Sequence, residues 1–135
     1  MKPSSGLFPG VPGNVFVHNG FRDTHSVTAP AILAEVKDLI RSRNATSVVA
    51  VSPNLFRFAW VRGVITDRDR LQVGHSLGGA IAELDTVYFR LNLPRSVTVR
   101  GVTYGTPRVG NPAWANWFNS MVGIQYTTFP ETQLD

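Results

Sequence analysis

The amino-acid sequence predicts an α/β protein in which helices cover both faces of a mostly parallel sheet. Two segments, residues 28–43 and 78–91, repeat apolar side chains at the period of an amphipathic helix. A run rich in β-branched residues follows each of them, at 47–51 and at 97–104. This alternation is typical of parallel sheets, because parallel strands need a long crossover connection and a helix provides it. Right-handed crossovers then place the helices on the faces of the sheet.

Residues 1–43 are predicted to form a loop, a short strand and the first helix. Residues 1–14 are rich in proline and glycine, and Asn19-Gly20 is a turn signal that closes a strand candidate at 15–18. The helix is expected at 28–43, where Pro30 suits the first turn because its missing N–H needs no partner there. Its apolar stripe consists of Ile32, Leu33, Val36, Leu39 and Ile40.

The remaining elements follow in regular order. Asn44-Ala45-Thr46 is expected to be a turn before the strand at 47–51; it is also a nominal glycosylation sequon, a triplet that is common by chance. Pro94 ends the helix at 78–91. The elements expected after it are a strand at 97–104, a short helix at 113–120 and a last strand at 124–129.

The composition excludes several classes of function. Hydrophobic residues make up 43% of the chain and charged residues 16%, which is typical of a globular protein. The net charge is +4, but the arginines are scattered, so we expect no nucleic-acid partner. The chain has no cysteine, which excludes disulfides and thiolate metal sites, and we expect no metal and no cofactor. No apolar run approaches the length of a membrane span, so we expect no stable membrane insertion.

One motif carries chemistry. Gly74-His75-Ser76-Leu77-Gly78 fits Gly-x-Ser-x-Gly, the pattern of a nucleophile elbow, and an amphipathic helix follows it directly. In such an elbow the serine occupies a strained turn between a strand and a helix, and glycines two residues before and after it avoid a collision. The turn raises the Ser76 hydroxyl above the sheet. It also places the Leu77 N–H at the N-terminus of the helix, where this group can stabilise an oxyanion.

His75 is adjacent to Ser76 in sequence but is not expected to be its general base. Neighbouring residues on an elbow point in different directions, so the imidazole cannot easily reach the hydroxyl. We expect a packing or hydrogen-bonding role for it near the site.

Three blocks resemble the fungal class 3 lipases in content and order. They are Val17-His18-Asn19-Gly20-Phe21, Val73-Gly74-His75-Ser76-Leu77-Gly78-Gly79-Ala80 and Tyr104-Gly105-Thr106-Pro107-Arg108-Val109-Gly110-Asn111. The resemblance covers the middle of a lipase domain. It implies an α/β-hydrolase fold, a Ser-Asp-His triad and hydrolysis of acylglycerol esters. By position, Ser76 resembles the nucleophile of the family, and the backbone N–H of Leu77 resembles one oxyanion-hole donor.

The resemblance also implies parts that these residues do not supply. The other oxyanion donor of the family follows an earlier strand, upstream of the matched blocks. The triad Asp and His should follow the nucleophile in chain order, yet no histidine follows Ser76. We therefore expect a partial domain, truncated at both ends, with little or no turnover. The acids after Ser76, none of which matches the triad Asp in its surroundings, are Glu83, Asp85, Glu131 and Asp135.

Several other residues in and around the blocks are expected to have structural roles. His18 and His25 precede Ser76, on the wrong side for the base of the family, and His18 is expected to be structural. The 104–111 run is expected at the carboxyl edge of the sheet, where it either borders the acyl site or forms a structural turn. The aromatic residues expected in the core or in docking, with lipid binding as the alternative, are Phe21, Trp114, Trp117 and Phe118.

Residues 51–72 interrupt the pattern. In the family the strand before the serine runs straight into the elbow, and joining residues 47–50 to residue 73 restores that arrangement. The stretch is 22 codons long, and it can be encoded with GTN-AGT at Val51-Ser52, CTGAC within Ile65-Thr66-Asp67 and CAG at Gln72, as in a fungal intron. We interpret it as a translated retained intron within a 1–135 lipase-like domain; a genuine surface insertion is the alternative. The sequence at 125–135 also departs from the family.

The first hypothesis for function is a lipase or esterase that hydrolyses lipid esters at a lipid–water interface through an acyl-enzyme on Ser76. The alternatives are a non-catalytic lipase-derived fragment and a feruloyl-type esterase of the same fold. The resemblance implies secretion for full-length members, although Met1-Lys2-Pro3-Ser4-Ser5-Gly6 lacks the apolar core of a signal peptide.

Overall fold

A computed structural model describes residues 2–3, 6–50, 74–122 and 126–129. The helices in these ranges are α1 (Asn19–Arg43), α2 (Leu77–Asn92) and α3 (Pro112–Val122). The strands are β1 (Lys2–Pro3), β2 (Phe16–Val17), β3 (Ser47–Ala50), β4 (Gly74–His75), β5 (Thr98–Tyr104) and β6 (Tyr126–Phe129).

The main sheet is built around β5, and β3, β4 and β6 all run parallel to it. β3 pairs with the first half of β5, whereas β4 and β6 pair with its second half. α2 connects β4 to β5, and α3 connects β5 to β6. The predicted α/β class with a parallel sheet is therefore confirmed.

α1 begins nine residues before the expected start at Thr28, so that prediction was wrong at its N-terminal end. The reason is a cap: Nδ1 of His18 accepts a hydrogen bond from the N–H of Gly20 at 3.2 Å. Asn19-Gly20, expected to be a turn, forms the first two residues of the helix. Before residue 28, the buried face of α1 carries His25. An apolar residue at this position would have extended the predicted apolar stripe towards the N-terminus.

Pro30 lies in the interior of α1, not in its first turn as expected. Proline has no N–H, so the carbonyl of Ser26 lacks its helical donor, a defect that costs about 3 kcal/mol in a helix interior. Ala29, Leu33 and Val36 continue on the buried face around it. The helix ends at Asn44, whose left-handed conformation (φ 50°) and N–H bond to the carbonyl of Ile40 confirm the expected turn.

Most other boundaries differ by one or two residues from those expected. β1 is an exception, because it lies in the segment expected to be a loop and pairs antiparallel with β2. Val51 and residues 124–125, which belong to two expected strands, lie outside the described residues.

Two clusters of buried side chains hold these elements together. α2 contributes to both, so the helix that begins after Ser76 is packed from two sides. The first cluster joins α1, β3 and β5 through Leu33, Val36, Val48, Ala50, Phe89, Leu93, Val97 and Val99. The second joins α2, α3 and the N-terminal segment through Phe8, Val11, Val15, Val17, Ala80, Leu84, Val87, Val109, Trp114, Phe118 and Val122.

None of the helices in the described ranges combines the length and the apolar character needed to cross a membrane.

Candidate active site

Ser76 joins β4 directly to α2 in a backbone conformation that L-amino acids rarely adopt. Its φ is 55° and its ψ is −123°. A residue in such a region carries about 1–3 kcal/mol of strain and persists only where its surroundings hold it. One such restraint is the N–H of Ser76, which donates to the carbonyl of Tyr104 at the end of β5 over 3.1 Å. The strained turn expected from the Gly-x-Ser-x-Gly pattern is therefore present.

The side chain of Ser76 does not serve the helix that follows it. Ser76 is the N-cap residue of α2, but its hydroxyl makes no capping hydrogen bond, although serine is among the best N-caps. Its carbonyl accepts from the N–H of Ala80 at 3.3 Å. Ser76 is an exposed residue.

The first turn of α2 places an N–H group beside this hydroxyl. Leu77 is the first helical residue, and N–H groups of a first helical turn have no acceptor within the helix. The positive end of the helix dipole adds to their attraction for negative charge. N–H groups in such a position can stabilise an oxygen atom that carries negative charge.

The turn is held against the loop that follows β5. A Cβ atom at Gly79 would lie 2.6 Å from Oγ1 of Thr106 and 3.3 Å from Cβ of Thr103. Only glycine fits here without a shift, so α2 and the end of β5 are in close contact at Gly79. The hydroxyl oxygen of Thr106 is buried and has no hydrogen-bond partner among the described residues.

The other end of this loop is anchored to β2. The N–H of His18 donates to the carbonyl of Val109 at 2.8 Å, and the N–H of Asn111 donates to the carbonyl of Phe16 at 3.1 Å. A Cβ atom at Gly110 would lie 2.4 Å from that carbonyl of Phe16. The distal end of residues 104–111 is therefore structural, and Thr106 lies against Gly79. That this run borders an acyl site stays a prediction.

Asn111 is the centre of that anchor. Its Oδ1 accepts from the N–H of Phe16 at 3.1 Å and from the N–H of Trp114 at 2.9 Å. Its Nδ2 donates to the carbonyl of Asn14 at 2.8 Å. Asn111 is thus the N-cap of α3, followed by Pro112 at the first helical position.

The two histidines before Ser76 have structural contacts. His18 caps α1 as described and lies against the ring of Phe21, with 4.8 Å between centroids. His25 is fully buried, and its Nε2 lies 2.9 Å from Oδ1 of Asp85 on α2. The two atoms are close, but their geometry is not that of a well-formed hydrogen bond. His25 and Asp85 therefore tie α1 to α2 in the core.

The four aromatic residues expected in the core or in docking belong to or pack against one buried cluster. Trp114 and Phe118 are buried, and Phe21 and Trp117 pack against the same cluster. The indole Nε1 of Trp114 donates to Oε1 of Glu83, which links α3 to α2. The core reading of these residues is confirmed. The side chains of His75, Glu131 and Asp135 lie outside the described residues.

Three features of the site region were missed in the sequence. The contact of Thr106 with Gly79 and the pair of His25 with Asp85 depend on tertiary approach, which no local pattern reports. The cap at Asn111 had a local signal, since Asn followed by Pro is a typical helix start.

Comparison with known proteins gives a consistent set of likenesses. The family model for lipase (class 3) matches residues 68–131. Over 111 residues, covering 82% of this chain, the sequence is 32% identical to secreted mono- and diacylglycerol lipase 1 of Fusarium solani. The match covers 26% of that protein, so the chain spans about a quarter of the length of this curated relative.

Solved structures agree on the fold. The triacylglycerol lipase from Penicillium expansum is 23% identical, with a TM-score of 0.66 over 96% of this chain and 40% of that one. A second structure, described as a triacylglycerol lipase whose catalytic centre is a serine protease triad, is 26% identical. It has a TM-score of 0.64 over 91% of this chain and 38% of its own. The expected partial α/β-hydrolase fold is thereby confirmed.

Proposed function

The chain belongs to the class 3 lipase family, and on this premise we propose that Ser76 is the nucleophile of an ester hydrolase acting on acylglycerols. The observation that supports the proposal most is the backbone conformation of Ser76. This residue lies between a strand and a helix and has a φ of 55°. Strain of this kind concentrates at functional sites. In an ordinary N-cap the serine hydroxyl would accept a hydrogen bond from the helix, whereas the hydroxyl of Ser76 accepts none.

The proposed reaction has two steps. Oγ of Ser76 attacks the ester carbonyl carbon, the bond from that carbon to the alkoxy oxygen breaks, and the glycerol alcohol leaves with the proton taken from the serine. Water then attacks the acyl-enzyme and releases the fatty acid and Ser76. Each step passes through a tetrahedral oxyanion.

Leu77 has two roles in this proposal. Its backbone N–H donates to the oxyanion, a contact worth about 3–4 kcal/mol per donor in comparable sites. Its side chain is 54% exposed beside Ser76 and offers apolar surface to an acyl chain. Leu77 and Val27 are the large hydrophobic residues most exposed in the described part of the chain. A substrate that presents hydrocarbon next to its ester, as lipids do at a lipid–water interface, fits this surface.

In the described part of the chain, both histidine side chains have contacts elsewhere, so neither is assigned as a general base for Ser76. The histidines are His18, His25 and His75, and none follows the serine. His18 and His25 are engaged as a helix cap and in a buried pair. Since removing members of a triad costs on the order of 10⁴ to 10⁶ in rate, we propose that this chain by itself turns over slowly, if at all.

A chimera tests the function without that limitation. Residues 74–122 would replace the aligned segment of the Fusarium solani lipase, which supplies every catalytic group outside the graft. Hydrolysis of monoacylglycerol and diacylglycerol is expected, and Ser76→Ala in the same chimera is expected to lose at least 10³ of the rate. A folded chimera that is inactive, or one whose activity survives Ser76→Ala, would count against the proposal.

The substrate class is tested on the same chimera. Acylglycerols are expected to be better substrates than a feruloyl ester by kcat/KM. The reverse order would indicate a feruloyl-type esterase. The matched exposed variant Ser96→Ala, on the loop before β5, should leave both activities unchanged.

We extend the proposal to location. The curated relatives of Fusarium solani and Malassezia restricta are named as secreted lipases, and secretion of the whole protein follows if it shares their role. Detection of the protein in culture medium, with a cytosolic marker absent, is the expected result; its retention in the cells would contradict it.

A further inference from the structure

β3 and β4 lie on the same edge of β5. β6 pairs with residues 101–104 of β5. Gly101 is paired with Ala50 of β3 and also with Tyr126 of β6. A strand residue has one neighbour on each edge, so β3 lies opposite β6 across β5. Tyr104 is paired with His75 of β4 and with Phe129 of β6, so β4 also lies opposite β6.

The two strands also lie in one row. Ala50 is the last residue of β3 and is level with Gly101, whereas Gly74 is the first residue of β4 and is level with Thr103. Between these two positions β5 has a single residue, Val102. Both β3 and β4 run parallel to β5, so one position separates the end of one from the start of the other.

The register gives the number of residues that would have to be removed to make the row continuous. Ser47 pairs with Thr98, 51 positions later, and Gly74 pairs with Thr103, 29 positions later. The difference is 22 residues. This is the length of residues 51–72, the segment that the sequence pattern sets apart. Joining Ala50 to Val73 then leaves Val73 level with Val102.

We propose that residues 51–72 are an insertion into one strand, and that the chain without them carries Ser76 at the end of a continuous seven-residue strand matched to the seven residues of β5. The alternation of side chains agrees with this. Val48 and Ala50 are buried with a period of two, and the joined strand places Gly74 on the same face. Gly74 is level with Thr103, the residue whose Cβ lies against Gly79 of α2.

The break between β3 and β4 lies close to the site, because β4 leads directly into Ser76. In the described strands the ladder along this edge of β5 stops at Gly101 and resumes at Thr103, where β4 begins. An inserted segment whose two ends are held close together loses conformational entropy on folding, by an amount that grows with the length of the segment. Without it, the strand, Ser76 and α2 form one βαβ unit with β5, so the turn at Ser76 is restrained from both sides.

Three deletions test the inference on stability alone, without any assay of hydrolysis. One chain lacks residues 51–72, and two controls lack 51–71 or 51–73. Each control shifts the register by one residue and turns every following side chain of the strand to the opposite face. Urea unfolding of these chains and of the parent, followed by tryptophan fluorescence, gives the comparison.

The chain lacking 51–72 is expected to have the highest unfolding midpoint of the four. Its unfolded-to-folded ratio in the absence of urea should be at least tenfold below that of the parent. The controls are expected to fall below the chain lacking 51–72. Any other ranking, including a shared failure of the three deletions to fold, overturns the inference. Because no hydrolysis is measured, failure here is separate from failure of the proposed function.

Discussion

Nε2 of His25 lies 2.9 Å from Oδ1 of Asp85 in the contact between α1 and α2. His25 has no exposed side-chain surface, and the Asp85 side chain is 9% exposed. The ring of His25 lies 5.4 Å from that of Tyr88, edge to face, and 6.0 Å from that of Phe8. The pair therefore joins the helix that carries the cap at His18 to the helix that begins after Ser76.

Asp85→Ala is expected to destabilise the protein by about 1–3 kcal/mol, because it leaves a buried imidazole nitrogen without its polar neighbour. The measurement is urea unfolding. Asp38→Ala is the control, since Asp38 pairs with Arg41 on the exposed face of α1 and such pairs contribute about 0–1 kcal/mol. An equal decrease in the free energy of unfolding for the two variants would show that the buried pair stabilises the protein no more than the exposed one.

Gly79→Ala is expected to destabilise the protein by about 1–3 kcal/mol, because the new methyl group overlaps the hydroxyl of Thr106. Adding Thr106→Ala should recover part of this loss by removing the oxygen at 2.6 Å. Gly13→Ala is the matched control, because nothing lies within 4 Å of its Cβ position. No recovery in the double variant would argue against the contact.

Asn111→Ala is expected to cost about 2 kcal/mol, because it removes the cap of α3 and the bonds to the backbone of β2 and Asn14. Asn111→Asp keeps the acceptor and should lose less. Asn92→Ala, which removes an exposed bond to the carbonyl of Tyr88, should cost under about 0.5 kcal/mol. Thermal unfolding of the three variants gives the order; a cost for Asn92→Ala as large as for Asn111→Ala would contradict it.

Ser76→Gly is expected to be more stable than Ser76→Ala by about 1 kcal/mol, because glycine adopts φ 55° without the strain that any Cβ brings. Both variants lack the hydroxyl, so the difference isolates the backbone. Asn44→Gly is the control: Asn44 is also at positive φ, but asparagine tolerates its left-handed conformation and should gain less. A Ser76→Gly variant no more stable than Ser76→Ala would mean that the turn is unstrained.

The retained-intron interpretation of residues 51–72 makes a separate prediction at the level of the message. Removal of 22 codons keeps the reading frame, so a spliced message encodes the same residues on either side. Sequencing of cDNA is expected to show a dominant form that lacks this segment. A dominant message that retains it would mean a genuine insertion.

The parts of the fold that the sequence predicted well are those with local signals. α2 and β5 have a clear period and clear ends, so their bounds came within one residue. Besides the cap at His18, two features made the prediction of α1 too short: Pro30 lies in a helix interior, and His25 occupies a buried position beside Asp85. Neither outcome can be read from residues close in the chain.

For the candidate site, the motif predicted the strained turn at Ser76, because glycines at fixed offsets report a backbone constraint. The tertiary contacts that hold this turn in place could not be predicted from the sequence. Thr106 lies 27 residues after Gly79, and no periodicity relates them. The same holds for the register of β3 and β4 on β5, which only strand pairing reveals.

We propose that Ser76 is an activated nucleophile, a role that a covalent probe can report. Its most direct test is mass spectrometry of the chimera after treatment with an alkyl phosphonate ester, which traps an activated serine as a covalent phosphonate. A single adduct on the peptide that contains Ser76, absent from the Ser76→Ala chimera and from heat-unfolded protein, is the result we expect. A folded chimera with no adduct, or with the adduct on another serine, would contradict the assignment.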